Sequence, residues 1–150
     1  MPWDQESEAI PFYGTLLSIS IDGGSTYKKV AEVRSINGPS AAAESVDVSH
    51  SESPSGYREF IGGMKDGGEF SAELNFFPAS YADSAYVDLE TFLGYLGAKY
   101  DYRVTWADSA GTKWEFKGIL TAFAPSGEIG GAVTMSVTVK VAGAMDLSAS

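Results

Sequence analysis

The side chains of this sequence that could do chemistry are few, and their spacing works against it. The one histidine, His50, is flanked by Ser49 and Ser51 and follows Asp47, which are the residue types of a nucleophilic triad. A triad converges from separate elements, so that the base reaches both the nucleophile and its orienting acid. Here all four sit within one short alternating stretch, where neighbours point to opposite faces. The pattern fits a surface or interface histidine better than a catalytic base.

Metal and phosphate chemistry fare no better. With no cysteine in the chain, disulfides, iron–sulfur clusters and thiolate-held zinc are excluded. Asp22-Gly23-Gly24-Ser25 and Lys65-Asp66-Gly67-Gly68-Glu69 superficially suggest calcium loops. Both lack the alternating acids and distal glutamate that such a loop needs, and both read as glycine turns leading into strands. No glycine run is followed by the Lys-Ser/Thr and helix of a phosphate-binding loop. The twenty acidic residues supply so many carboxylate pairs that none is marked out for glycoside hydrolysis. The expectation is no enzyme, no metal and no cofactor.

Aromatic residues offer a binding chemistry instead. Tyr100, Tyr102, Trp106, Trp114 and Phe116 could stack on sugar rings, which would make this a monomeric β-sandwich binding module for a glycan or a protein partner. Their strict alternation along two strands favours the core.

The elements that carry these residues are mostly strands. Gly14 to Ile21 alternates, with Leu17, Ile19 and Ile21 opposite Ser18 and Ser20. The Asp22–Ser25 turn returns it as Tyr27 to Ile36, a first hairpin, which Asn37-Gly38-Pro39 ends. Glu44 to His50 alternates around Val46 and Val48. Residues 51–68 then form a long polar loop, uncommon in a compact domain and usually functional. Tyr57, Phe60, Ile61 and Met64 punctuate it, so it is either an arm that packs on a neighbour or a surface loop tucked into its own domain. Alternation resumes at Glu69, with Phe70, Ala72, Leu74 and Phe76 opposite Glu69, Ser71, Glu73 and Asn75.

The period changes after Ser80. Val87, Phe92, Leu93 and Leu96 recur at helical spacing, with Ser84 to cap and Gly97 to stop, which predicts one α-helix over about 84–96. Three more strands follow. Lys99 to Ala107 and Thr112 to Ala124 carry the aromatics, with Gly118 as the expected bulge. Ala132 to Val141 turns Val133, Met135, Val137, Val139 and Val141 inward and Thr134, Ser136, Thr138 and Lys140 outward. The sum is a mostly β protein, an antiparallel sandwich or barrel of about seven strands. Its length suits a single domain over 1–150, with a flexible N-terminal arm (1–11) and a loose C-terminal tail (144–150). Trp3 would either dock that arm on a neighbour or stand as an exposed aromatic.

Charge narrows the partners. The formal net charge is −10. Half of it falls in residues 44–73, where Glu44, Asp47, Glu52, Glu59, Asp66, Glu69 and Glu73 outnumber Arg58 and Lys65. An acidic balance favours solubility and disfavours DNA binding, which needs basic residues on phosphates. No apolar run approaches the roughly 18 residues of a membrane helix, so no membrane binding is expected. The acidic start lacks the basic and apolar regions of a secretory signal, which leads us to expect assembly in the cytoplasm.

Four pieces of the sequence resemble a known family. They are the Asn37-Gly38-Pro39 turn, the Val-Asp-Val-Ser-His run at Val46 to His50, and Gly56-Tyr57-Arg58-Glu59 followed by Ile61 to Glu69. The fourth is Lys117-Gly118-Ile119-Leu120-Thr121 leading through Gly131 to the Val-rich strand. Across Tyr13 to about Gly143 the chain resembles the major tail tube proteins of long-tailed, lambda-type bacteriophages. The resemblance implies a self-assembling virion protein of the phage tail, built of hexameric rings stacked into a conduit for DNA. It implies tail tip, tape measure and terminator proteins as partners, and DNA that passes without specific binding. In that setting Tyr57, Arg58, Phe60, Ile61, Met64 and Trp3 are candidates for subunit and ring contacts. Glu69, Ser71, Glu73, Thr134, Ser136 and Thr138 are candidates for the lumen wall, with plain solvent exposure as the simpler alternative.

Overall fold

The computed structural model describes residues 9–30, 32–76 and 86–149. Among the described residues ten strands form: β1 (Leu16–Ser20), β2 (Lys28–Val30), β3 (Val33–Asn37), β4 (Ala42–Asp47), β5 (Phe60–Asp66), β6 (Glu69–Asn75), β7 (Tyr86–Val87), β8 (Lys99–Thr105), β9 (Lys113–Ser126) and β10 (Thr134–Ala149). Eight of them make one sheet in the order β3-β6-β10-β9-β8-β1-β2-β7, while β4 and β5 pair apart as a two-stranded ribbon. Neighbours in the large sheet run antiparallel except β2 and β7, which are parallel.

The large sheet buries one face around a single core, a sandwich-like arrangement. Leu17 and Ile19 of β1, Phe70 and Leu74 of β6, Tyr102 and Val104 of β8, Leu120 of β9 and Val137 and Val139 of β10 are all buried. They come from alternate positions, as period-two strands require. Phe116 sits at the centre, 5.6 Å from the Phe70 ring and stacked on Tyr102 at 5.9 Å. The sheet also wraps toward itself. β2 ends at Val30 and β3 begins at Val33, so strands near opposite margins are joined by a link that spans at most about 11 Å.

That link splits the expected Tyr27–Ile36 return strand in two. Glu32 takes a positive φ of 55°, which interrupts the extended chain. The half that pairs with β1 forms the expected hairpin, with Leu17 opposite Val30. The other half crosses to pair with β6. This split, together with β5 and β7, raises the strand count above the expected seven.

The expected long loop over 51–68 is shorter than its sequence suggests. Phe60–Asp66 is a strand, antiparallel to β4 with Val46 opposite Ile61 and Asp47 opposite Phe60. Its alternation is masked by Gly62 and Gly63 and by a register shift between Ala43 and Ser45. The expected helix over 84–96 is shorter too: α1 covers Leu89–Leu93, with Asp88 as its N-cap. Val87 cannot join it, because it is buried in the parallel pair with Val30. Ser84 lies outside the described residues. Leu96 is exposed, in the turn that follows the helix.

Three smaller expectations also shift. Gly118 is not a bulge: it pairs in register with Tyr100 and Val141. It is glycine because a β-carbon there would collide with the Val139 side chain. The extra residue in β9 is Thr121, between Leu120 opposite Val139 and Ala122 opposite Thr138. Val133 is exposed, one residue before β10 begins. Residues 144–149 are not a loose tail but the end of β10, with Met145 opposite Phe116 and Asp146 opposite Glu115. Gly143, at a φ of 104°, breaks the apolar alternation and hides that continuation from the sequence.

Candidate assembly surfaces

Two features stand out from the core: the β4–β5 ribbon and the polar face of β6, β10 and β9. The ribbon is held rigidly at its root. Gly68 takes a positive φ, and a β-carbon there would clash with the Ser40 carbonyl; one on Gly67 would clash with Val141. The Gly68 carbonyl accepts the Val141 N–H at 3.0 Å. Asp66 accepts the Gly68 N–H at 2.8 Å and pairs with Lys140 at 3.2 Å. The Gly68 N–H, followed by Lys140, holds the Asp66 carboxyl below its usual range.

At the far end the ribbon is closed by its own polar groups. Val48 N–H donates to the Glu59 carbonyl at 2.9 Å, and Glu59 N–H donates to Ser49 Oγ at 2.7 Å. Ser53 Oγ accepts the His50 N–H at 3.0 Å and donates to Glu59 Oε2 at 2.7 Å. A 3-10 turn at Pro54–Gly56 completes the tip. His50 is part of this network: Nδ1 accepts the Glu52 N–H at 3.2 Å, and Nε2 lies 3.4 Å from Glu59. Asp47 is engaged with the Ser49 N–H and with Arg58 at 3.0 Å. The hydroxyl and N–H of Ser49, then Arg58, depress its pKa. Ser49, His50 and Asp47 therefore serve as turn-closing groups: Ser53 and His50 both meet Glu59 Oε2, while Asp47 turns to Arg58.

Every large apolar side chain of the ribbon is exposed. Tyr57 is 76% and Met64 81% accessible, and Val46, Val48, Phe60 and Ile61 are also exposed. Strand pairing puts Val46 with Ile61 on one face and Phe60 on the other. The structure thus brings Tyr57, Arg58, Phe60, Ile61 and Met64 onto one projection. Trp3 lies outside the described residues.

The second feature is a row structure on the outward face. Glu73, Ser136 and Ala124 are in register across β6, β10 and β9, and so are Ser71, Thr138 and Ala122. Glu69 stands opposite Lys140, and Glu73 lies 3.6 Å from Arg34, which bulges from β3. The central rows thus carry small neutral side chains, with charge toward the margins. Thr134 is nearly buried, its hydroxyl 3.4 Å from the Ser126 carbonyl, so it adds little to this surface.

The sugar-platform arrangement is absent from the five aromatics. Tyr102 and Phe116 are in the core, and Trp106 meets Trp114 edge-on at 5.1 Å. Among the described residues no cluster of histidine and acids could hold a metal, and no helix is long and apolar enough to cross a membrane.

Sequence reasoning passed over two exposed residues. Ile129, at the tip of the β9–β10 hairpin, is fully accessible at 106%, and Tyr13 is 93% accessible. The signal for Ile129 was a lone isoleucine in a turn otherwise made of Gly127, Glu128, Gly130 and Gly131, a place where an apolar side chain has no core to enter.

Comparison with curated protein sequences gives no match. Solved structures match in fold. The tail of an empty gene transfer agent particle, refined with C6 symmetry, superposes with a TM-score of 0.69 at 23% identity, covering 94% of this chain and 100% of that one. The sheath–tube complex of an extracellular contractile injection system gives 0.65 at 14% identity, over 94% and 93% of the two chains. The SPP1 tail tube gives 0.62 at 10% identity, over 93% and 81%. The sequence itself matches the family described as lambda phage tail tube protein, TTP, over residues 15–148. That match spans both the core sheet and the projecting ribbon, and the chain belongs to this family as a structural subunit of a phage-type tail tube.

Proposed function

We propose that copies of this chain close into hexameric rings, and that the rings stack through the Ser40–Gly68 arm into a conduit for DNA. The observation that carries this reading is the ribbon itself. It displays apolar side chains on both faces, yet a two-stranded ribbon in water gains nothing from them. Its root and tip are fixed by hydrogen bonds and close glycine contacts, so it is built to be covered by another molecule. Tyr57, Phe60, Ile61 and Met64 are the anchors, and Arg58 offers a charged contact beside them.

The work of such a subunit is mechanical rather than catalytic. The outward rows at Glu69, Ser71, Glu73, Ser136 and Thr138, with Thr134 at their margin, form the lumen wall. Small neutral side chains and flanking acids give phosphates no foothold, and each copy brings a formal charge of −10. Tail tip, tape measure and terminator proteins complete the tail, and the subunits assemble in the host cytoplasm before joining the virion.

The test is negative-stain microscopy of the purified chain over a concentration series, beside the variant Tyr57→Ser/Phe60→Ser/Met64→Ser. Hollow tubes from the wild type and dispersed, folded subunits from the variant are expected. Tubes of normal length from the variant would remove the arm from ring stacking.

A further inference from the structure

The arm is one half of a contact, and β10 carries features suited to a second. At its N-terminal end stands the Ile129 turn, fully exposed. At the other end of its pairing with β6, the residues after Lys140 line a groove of about 530 Å³ with the arm root. Its apolar wall is Ala41, Val141, Ala144, Met145 and Leu147; Lys65 and Asp66 also line it, and Asp66 is already paired with Lys140. Val141 lies seven residues along the strand from Thr134, or roughly 23 Å.

A knob at one end of a strand and a socket at the other cannot meet within one subunit. They meet when the next copy is placed head to tail along the strand, which is the heterologous geometry that extends a filament. The charges agree with that placement. Glu128 precedes Ile129, Lys65 lines the groove, and neither is engaged in an ion pair among the described residues. An isoleucine side chain fits within the groove, and burying it removes an apolar surface that the free subunit leaves in water.

We infer that Ile129 of one subunit inserts into the Ala41–Val141–Met145–Leu147 groove of a second copy, with Glu128 pairing to Lys65 of that copy. This deepens the tube reading and rests on it, since the occupant is another copy of the same chain. The contact is separate from the arm anchors, so each axial junction has two independent apolar plugs.

The absence of cysteine makes the test clean. The double variant Ile129→Cys/Ala144→Cys is oxidised after assembly and run without reductant. Each subunit then carries one thiol at each end, too far apart to bridge internally, and a ladder of linked multimers is expected. Either single variant yields no ladder. Assembled tubes that leave the oxidised double variant indistinguishable from the singles would overturn the inference. In parallel, Ile129→Lys should melt as the wild type does, because the side chain touches nothing in the free subunit. Its critical concentration for tubes should rise roughly tenfold or more. Wild-type tube yield from that variant would also overturn the inference while leaving the tube reading intact. A wild-type chain that never assembles would instead strike down the tube reading, and this inference with it.

Discussion

A β-carbon on Gly38 would lie 2.6 Å from the carbonyl oxygen of Glu69. The chain leaving the sheet for the arm and the chain returning from it thus touch backbone to backbone. Gly38 also holds a φ of 89°, which side-chain-bearing residues rarely adopt. Gly38→Ala should cost about 2 kcal/mol or more, seen as a lower urea midpoint at unchanged slope. Gly23→Ala is the control. It shares the positive φ but has nothing within 4 Å of the new carbon, so only the conformational cost of about 1 kcal/mol applies.

Tyr102 is wholly buried, and among the described residues its hydroxyl has no hydrogen-bond partner. Removing an unpaired buried hydroxyl removes its desolvation cost, so Tyr102→Phe should stabilise the subunit by about 1 kcal/mol in thermal or urea unfolding.

Burial also pushes the Tyr102 pKa far above the ordinary tyrosine value. The unfolded chain still ionises there near pH 10, so above that pH the folded state holds the extra proton. Stability is therefore fully present below pH 10 and falls above it, by up to about 1.4 kcal/mol per pH unit from this group. A urea series from pH 9 to 11 should show the fall in the wild type and a shallower one in Tyr102→Phe. Equal slopes would mean that the hydroxyl is solvated in the native state.

Arg103 is clamped between two partners on the outward face of β8. Its Nε and Nη2 donate to Glu115 Oε1 at 3.1 and 2.9 Å, and its guanidinium lies 3.7 Å over the Tyr27 ring. Both charged side chains are mostly shielded, at 23% and 30% accessibility. Arg103→Ala should cost about 2 kcal/mol, and Arg103→Lys should recover only part of that, since an ammonium cannot stack and fork together. A double-mutant cycle with Tyr27→Leu should return a coupling of about 1 kcal/mol. Additive losses would reduce the stack to mere proximity.

Ser136→Lys/Thr138→Lys converts the central rows of the proposed lumen wall from neutral to basic. Tubes of this variant should retain short duplex DNA at low salt and release it as salt rises, whereas wild-type tubes retain none at either. Co-sedimentation of labelled DNA with the tubes reads this directly. Equal retention by both would place these rows away from the lumen.

The sequence was most readable where one face of a strand is dry. In β6, β8 and β10 the alternation of Phe70, Leu74, Tyr102, Val104, Val137 and Val139 marks the core correctly, because each has a wet neighbour on either side. It was least readable where burial does not alternate. The strand β5 has apolar residues on both faces and none buried, so its pattern looked like a loop. Val87 has the spacing of a helical stripe but is consumed by a two-residue parallel pairing. Glu32 carries no mark of its left-handed backbone, and so the crossing from β2 to β3 was invisible. Of the candidate assembly surfaces, the proposed arm anchors stood out in the sequence as large apolar residues in a polar stretch, and the structure leaves them exposed. Ile129 was not singled out, since a single apolar residue in a turn is ordinary until its exposure is seen.

The fixed root and self-closed tip of the β4–β5 ribbon bear on the kinetics of growth. A floppy arm would lose conformational freedom at every docking event, and that loss would blur the onset of polymerisation. This ribbon loses that freedom once, when the subunit folds. If the ribbon is the docking element, as proposed, addition of a subunit is governed by desolvation and by the entropy of bringing two rigid bodies together. Such a system would behave like condensation: subunits would accumulate up to a threshold, and beyond it nearly every further copy would enter a polymer.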